Sequence, residues 1–181
     1  MKPILFIMSG LPGSGKSTLS QFLSKKYKIP YIRIDTIEQG LRDLCHIDVV
    51  AEGYELAYRI AAEQLRFGLH IVVDSCNPIN LTRMAWENIA KSNHGVCINI
   101  EVICSDKDEH RHRIETRIME IENLKPPTWE DIENRIFNPW ESERIVIDTA
   151  HKSREESQNE LDTKIHSFCS ANGIKLCVNK C

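Results

Sequence analysis

Short runs of aliphatic residues alternate along the chain with stretches whose apolar positions recur every three or four residues. Ile4–Met8 is unbroken apolar and reads as a buried strand. The stretch after Lys16 puts Leu19, Phe22 and Leu23 on one helical face and ends near Tyr27-Lys28. Tyr31-Ile32-Arg33-Ile34, entered through Pro30, reads as a second strand with Asp35 at its carboxyl end. Residues 36–47 are expected to be helical and irregular, and a clearer helix is expected over 54–67, stopped by Gly68. His70–Val73 reads as a third strand ending in Asp74, and Ser75-Cys76-Asn77-Pro78 leads into a helix that includes Trp86. Val96–Cys104 alternates as a fourth strand, and Ser105-Asp106 offers a cap to the helix that follows. That helix is crowded with charge over 109–117. Pro126-Pro127 breaks it, and Thr128 starts another. Arg144–Asp148 is the fifth strand, and Glu155–Cys169 a polar helix. Strands and helices in this alternation predict an α/β fold with a parallel sheet and crossover helices.

The connection between the first strand and the first helix carries the chemistry. Residues 10–18 read Gly-Leu-Pro-Gly-Ser-Gly-Lys-Ser-Thr, a complete G-x-x-x-x-G-K-[ST] phosphate loop between a strand and a helix. Gly10, Gly13 and Gly15 let the backbone fold into a concavity lined by N–H groups, with Ser14 and Thr18 in the same turn. Lys16 can reach the β- and γ-phosphates, the Ser17 hydroxyl is placed for a magnesium ion, and the helix dipole adds positive potential. A nucleoside triphosphate is the expected ligand.

Length and composition narrow the setting. A chain of 181 residues suits one domain with a proper core, and 41% apolar and 27% charged residues are ordinary for soluble proteins. A net charge of −3 gives no general attraction for nucleic acid or anionic membrane, so neither partner is expected. No stretch has the apolar length of a membrane span, the phosphate loop stands where a signal peptide would be cleaved, and a cytoplasmic location is expected. The seven cysteines are an odd number without a C-x-x-C pair. Cys97 and Cys104 fall in a strand pattern as small core residues. Cys177 and Cys181 read as a plain tail, with metal binding or oxidation as the alternative.

In open α/β sheets ligands gather outside the carboxyl ends of the strands. The phosphate loop, Asp35 and Asp74 are all expected there. Asp74 follows an apolar strand and suits a carboxylate serving bound Mg²⁺, directly or through water or Ser17; capping the following loop is the other reading. Asp35 suits a base that accepts the proton of an acceptor hydroxyl, and it suits equally an N-cap for a helix beginning at Thr36. Arg113 and Arg117 are four apart, so on one helix they share a face, where a guanidinium could close over the γ-phosphate. A charged helix ahead of Pro126-Pro127 suits a lid over about 106–128, while a solvated face of Glu–Arg pairs explains some of the same charges. His110 and His112 read as surface residues.

With these residues placed, the chain resembles the small P-loop kinases that group zeta-toxin-like, polynucleotide-kinase-like and adenylylsulfate-kinase-like proteins. Gly10–Thr18 is similar to their Walker A loop, Arg33–Glu38 to the segment with their acceptor-side aspartate, and Val72–Pro78 with Arg83 and Trp86 to their third-strand region. The resemblance implies a P-loop NTPase fold of nucleoside-kinase type, three layers α/β/α around a five-stranded parallel sheet with a helical lid. The resemblance runs from about residue 3 to residue 168, and with no repeat or linker the chain reads as one domain over 1–181, with a C-terminal helix and tail from 153. The resemblance implies ATP and Mg²⁺ as cofactors and catalysis by Lys16, Asp35, Arg113 and Arg117. Thr149 would lie beneath the adenine, and a small-molecule hydroxyl acceptor among Arg42, Asn77 and Arg83. The chain lacks the Leu-Asp-Gly-Asp segment of adenylylsulfate kinases and the basic track of polynucleotide kinases.

The leading expectation is an ATP:alcohol phosphotransferase, as a monomer or homodimer. A nucleotide hydrolase or switch and a nucleic-acid 5′-end kinase are the alternatives. The guanine-specifying N-K-x-D element is absent from the sequence, and strong salt-dependent oligonucleotide binding would mark the end kinase.

Overall fold

The computed structural model describes residues 2–176. The tail expected at Cys177 and Cys181 lies outside the described residues. Five strands form one all-parallel sheet: β1 (Ile4–Ser9), β2 (Tyr31–Arg33), β3 (Ile71–Asp74), β4 (Val96–Ile103) and β5 (Ile145–Asp148), in the order β2-β3-β1-β4-β5. The helices are α1 (Lys16–Tyr27), α2 (Ile34–Cys45), α3 (Glu52–Arg66), α4 (Asn80–Ser92), α5 (Lys107–Glu115), α6 (Trp129–Glu133) and α7 (Arg154–Ala171). No helix among the described residues is long and apolar enough to cross a membrane.

The central strand explains the layering. Every residue of β1 is buried, and side chains alternate between the two faces of a strand. Ile4, Phe6 and Met8 pack with Leu19, Leu23 and Tyr27 of α1 and with Leu161 and Ile165 of α7. Leu5 and Ile7 pack on the other face with Ala57, Ala61 and Leu65 of α3 and with Trp86 and Ala90 of α4. The small alanines let α3 approach the sheet, and Trp86 meets the Tyr58 ring edge-on at 4.4 Å. Two apolar layers sandwich a sheet buried on both faces, as a parallel sheet requires.

The chain leaves β3 on one side of β1 and returns as β4 on the other. The crevice this creates opens at the carboxyl ends of the strands. Parallel register pairs Met8 with Asp74 and Ser9 with Glu101, so the phosphate loop leaves β1 beside Asp74.

Several expected boundaries move. β2 stops at Arg33 and the next helix begins at Ile34, regular through Cys45. Asp35 therefore lies in the first turn of α2, and it is not the cap of a helix starting at Thr36. The charged helix α5 ends at Glu115, with Thr116 as its C-cap, so residues 117–128 are turns and irregular chain and not helix. Asp106 caps α5 by accepting from the Glu109 N–H at 2.7 Å, as the sequence suggests. Thr128 and Ser153 open α6 and α7 with capping boxes.

Candidate active site

The phosphate loop is held from three sides. Gly10 N–H donates to Cys76 O at 3.1 Å, and the Asn77 side-chain amide donates to Met8 O at 3.0 Å. His110 Nε2 lies 2.7 Å from Pro12 O; a carbonyl only accepts, so Nε2 carries the proton. Thr149 Oγ1 donates to Ser14 O at 2.8 Å. Backbone torsions demand glycine at Gly10, where φ is 142° and a Cβ would stand 2.2 Å from Val102 O. At Gly13, φ is 81° and a Cβ would press on the Ile114 side chain. The first turn of α1 has no acidic residue, so its positive end is open to an anion.

A cleft of about 530 Å³ lies over this loop. Gly13, Gly15, Lys16, Ser17 and Thr18 form its floor; Thr149, Lys152 and Ser157 form one end, and Arg33 and Glu120 the other. Lys16 is buried against the protein and lines this space. Arg113 and Arg117 both border it, although Arg117 lies beyond the end of α5. Arg113 is tied back: Nη1 donates to Thr149 Oγ1 at 2.7 Å, and Nη2 to Thr149 O at 2.9 Å and to Glu109. Among the described residues Arg117 has no carboxylate partner.

Asp74 is nearly fully buried, and its Oδ2 accepts from the Tyr31 hydroxyl at 2.8 Å. Burial pushes the Tyr31 phenol well above its usual range, with Asp74 adding to the effect. Asp74 Oδ1 and the hydroxyls of Ser9 and Ser75 are buried without hydrogen-bond partners. Arg33 stands in the same group, its Nε 3.9 Å from carboxylate oxygens of both Asp35 and Asp74. Burial works to lower the Arg33 guanidinium, and the neighbouring Tyr31, Asp74, Glu120 and Asp35 overcome it and raise it. Asp35 itself is half-exposed.

The expected acceptor residues do not come together as a set. Asn77 is fully buried and holds the end of β1. Arg83 is buried too, and every N–H of its guanidinium is spent inside the protein. Nε donates to Asn77 O, Nη1 to Asn80 Oδ1 and Pro139 O, and Nη2 to Pro78 O and Asn138 O. Arg83 therefore fastens the 137–140 segment to α4 and has no donor left for a ligand. Arg42 pairs with Glu38 at 3.2 Å, two turns along α2 from Asp35. Burial raises the Glu38 carboxyl, and Arg42 opposes that rise. His110, expected at the surface, is buried between Pro12 and the edge of the Trp129 ring.

Arg33, Glu120, Lys152, Arg154 and Ser157 line the cleft without having been singled out from the sequence. The proximity of Arg33 to Asp35 in the chain is the one local signal that could have found any of them.

A sequence model of a family described as an AAA domain matches residues 5–137. The chain belongs to this AAA domain family. No curated protein matches. Among solved structures, this AAA domain is similar to a provisionally assigned kinase of Chloroflexus aurantiacus, with 22% identity, TM-score 0.71 and coverage of 92% of this chain and 97% of that one. It is similar to a gluconokinase of Sinorhizobium meliloti at 15% identity and TM-score 0.68, over 94% and 95% of the two chains. It is similar in the same way to the APS kinase of Mycobacterium tuberculosis, solved with AMPPNP and APS, at 15% identity and TM-score 0.68, over 91% and 98%. At these identities the likeness establishes the fold: an α/β P-loop fold around a five-stranded parallel sheet.

Proposed function

We propose that this AAA domain is an ATP-dependent phosphotransferase that moves the γ-phosphate to a hydroxyl of a small molecule. The observation that carries the reading is the single cleft running from Thr149 and Ser157, over Lys16 and Ser17, to Arg33 beside Asp35. A hydrolase needs only the phosphate floor and a positioned water. A second end beyond that floor, at Arg33 with the Asp35 carboxylate 3.9 Å from its Nε, is what a second substrate requires. The kinase neighbours support the same reading.

In this mechanism the loop N–H groups and Lys16 hold the phosphates, and the N-terminus of α1 stabilises their charge. Asp35 accepts the proton of the acceptor hydroxyl as its oxygen forms the new bond to phosphorus. The bond from phosphorus to the bridging oxygen of ADP breaks, and its electron pair leaves with ADP. Arg117, on the irregular segment after α5, closes over the transferring group. Arg113 is fixed by Thr149 and Glu109, and it braces the nucleotide end.

The residues present fit Mg²⁺. Ser17 offers a hydroxyl, and Asp74 a buried carboxylate oxygen without a partner, a hard-oxygen set of the kind that takes this ion together with phosphate oxygens. When bound, the ion would neutralise charge on the β- and γ-phosphates.

The test is transfer from γ-labelled ATP into a pooled extract of metabolites and, in a parallel reaction, into a 5′-hydroxyl oligonucleotide, with Lys16→Ala as control. Label in a small molecule, lost in the variant, supports the reading. Label only as free phosphate, unaccelerated by any pool, favours a hydrolase or switch, and label on oligonucleotide ends favours a nucleic-acid kinase.

A further inference from the structure

We propose that Arg33 is a binding residue for the terminal phosphoryl group in this cleft, and that Glu120 holds its place when that group is absent. The inference rests on the nucleotide reading of the cleft and deepens it.

The two partners are unlike. The Arg33 side chain is 6% exposed and Glu120 64% exposed, and Arg33 Nη1 donates to Glu120 Oε2 at 2.9 Å. Arg33 is fixed at the end of β2, in register with Asp74. Glu120 belongs to the irregular segment after α5, where among the described residues only Gln21 Nε2, at 3.5 Å, shares its carboxylate. A buried cation is thus matched to an anion supplied from the surface by a side chain that is free to leave.

The other carboxylates nearby do not satisfy Arg33. Asp74 Oδ2 and Asp35 Oδ2 stand 3.9 Å from its Nε, outside hydrogen-bond reach, and Asp74 Oδ2 is engaged by Tyr31. Arg33 Nε is buried and has no hydrogen-bond partner among the described residues. The guanidinium therefore presents one N–H to an exchangeable carboxylate and keeps another unspent.

Without Glu120 the buried guanidinium keeps only the two carboxylates at 3.9 Å and no hydrogen-bonded anion, a costly state that favours withdrawal of Glu120 when another anion arrives. Arg33 and Glu120 line the same cleft as Lys16, Ser17 and Thr18. The terminal phosphoryl oxygens are the anion this cleft is built to take, and a planar guanidinium fork matches phosphate geometry as it does carboxylate. Displacement of Glu120 also removes one tether of the 117–128 segment, leaving the Asn123 bond to Asp43 at 3.3 Å, and Arg117 lines the same cleft as Arg33.

The test is calorimetric titration of the full chain with a non-hydrolysable ATP analogue and with ADP, both with Mg²⁺ and at one salt concentration. Glu120→Gln, a surface change, is expected to tighten the ATP analogue about threefold or more and to leave ADP within about twofold. Arg33→Gln is expected to weaken the ATP analogue about tenfold or more, again sparing ADP. If Arg33→Gln does not fold, Glu120→Gln decides alone. An unchanged ATP-analogue affinity in Glu120→Gln, or equal effects on both nucleotides, overturns the proposal and leaves nucleotide binding standing. Binding of neither nucleotide to the wild-type protein overturns the reading of the cleft and this inference with it. Selective effects without phosphorylation of any acceptor leave Arg33 in place and overturn only the transferase.

Discussion

The Arg83 guanidinium lies 4.1 Å from the centroid of the Trp140 ring, with the Phe137 ring at 4.9 Å. Its N–H groups meanwhile hold the carbonyls of Asn138 and Pro139 from α4. Arg83 thus joins two parts of the chain more than fifty residues apart, by stacking and by charge-assisted bonds together. Arg83→Met keeps the stem and strands several buried carbonyls. It is expected to cost about 2–4 kcal/mol, or a fall in Tm of roughly 5–15 °C. Arg83→Lys is expected to recover little, because an ammonium cannot reproduce the planar fork. Thermal melts with and without ATP check this. A variant with unchanged Tm and a raised acceptor KM would return Arg83 to the acceptor site.

Those long separations mark where the sequence stopped being legible. The phosphate loop, the apolar strands and the caps at Asp106 and Gly68 are local, so a window of ten residues contains their whole reason. The Ile32/Ile34 alternation read as strand, but Ile34 and Ile37 are equally spaced for a helix. Packing decided for the helix, with Ile34 in the core cluster beneath α3. Arg113 and Arg117 kept their place at the cleft even though the helix between them ended early, because helix end and cleft edge coincide at Glu115–Thr116. The burial of His110 depends on Pro12, 98 residues earlier, and no pattern within α5 distinguishes it from His112. Lys152 and Arg154 reach the nucleotide end only because β5 lies at the sheet edge beside β4.

The His110 contact bears on nucleotide binding more than on folding. His110→Phe keeps a ring against Trp129 and removes the donor to Pro12 O. Losing one buried hydrogen bond of about 1 kcal/mol loosens the loop and is expected to weaken ATP about fivefold. The same variant should unfold within a few degrees of wild type. Titration calorimetry and a melt on one preparation check both, and an unchanged ATP affinity would remove His110 from the loop's support.

His70 sets a pH dependence of stability. Ile4 N–H donates to His70 Nδ1 at 2.9 Å, so that nitrogen must be unprotonated, and burial holds the imidazole below its ordinary value of 6.5. A lowered folded pKa means the unfolded chain takes up the proton first. This contribution is therefore complete above pH 6.5 and is lost as pH falls below it. The fall in Tm on acidification should be shallower in His70→Gln, whose amide oxygen accepts without titrating. Parallel curves for the two proteins between pH 7.5 and about 5 would show that His70 does not contribute.

Asp35 carries the sharpest test of the proposed chemistry, because its position separates binding from transfer. It stands half-exposed in the first turn of α2, 3.9 Å from Arg33 Nε and outside the loop that grips the phosphates. Removing it should not disturb the N–H cradle, the Lys16 charge or the Ser17 hydroxyl. Asp35→Asn keeps the size and loses the proton acceptor, so transfer to the acceptor is expected to fall by about 10²–10⁴. ATP affinity should stay within about threefold of wild type, since no phosphate contact is lost. A carboxylate at the N-terminus of α2 also favours the helix dipole, which adds only about 0.3–1 kcal/mol to stability. A large fall in Tm would therefore mean a structural role. Single-turnover transfer from labelled ATP, alongside calorimetric ATP binding, separates these outcomes. Loss of ATP binding with transfer by the bound fraction intact would place the base elsewhere in the cleft.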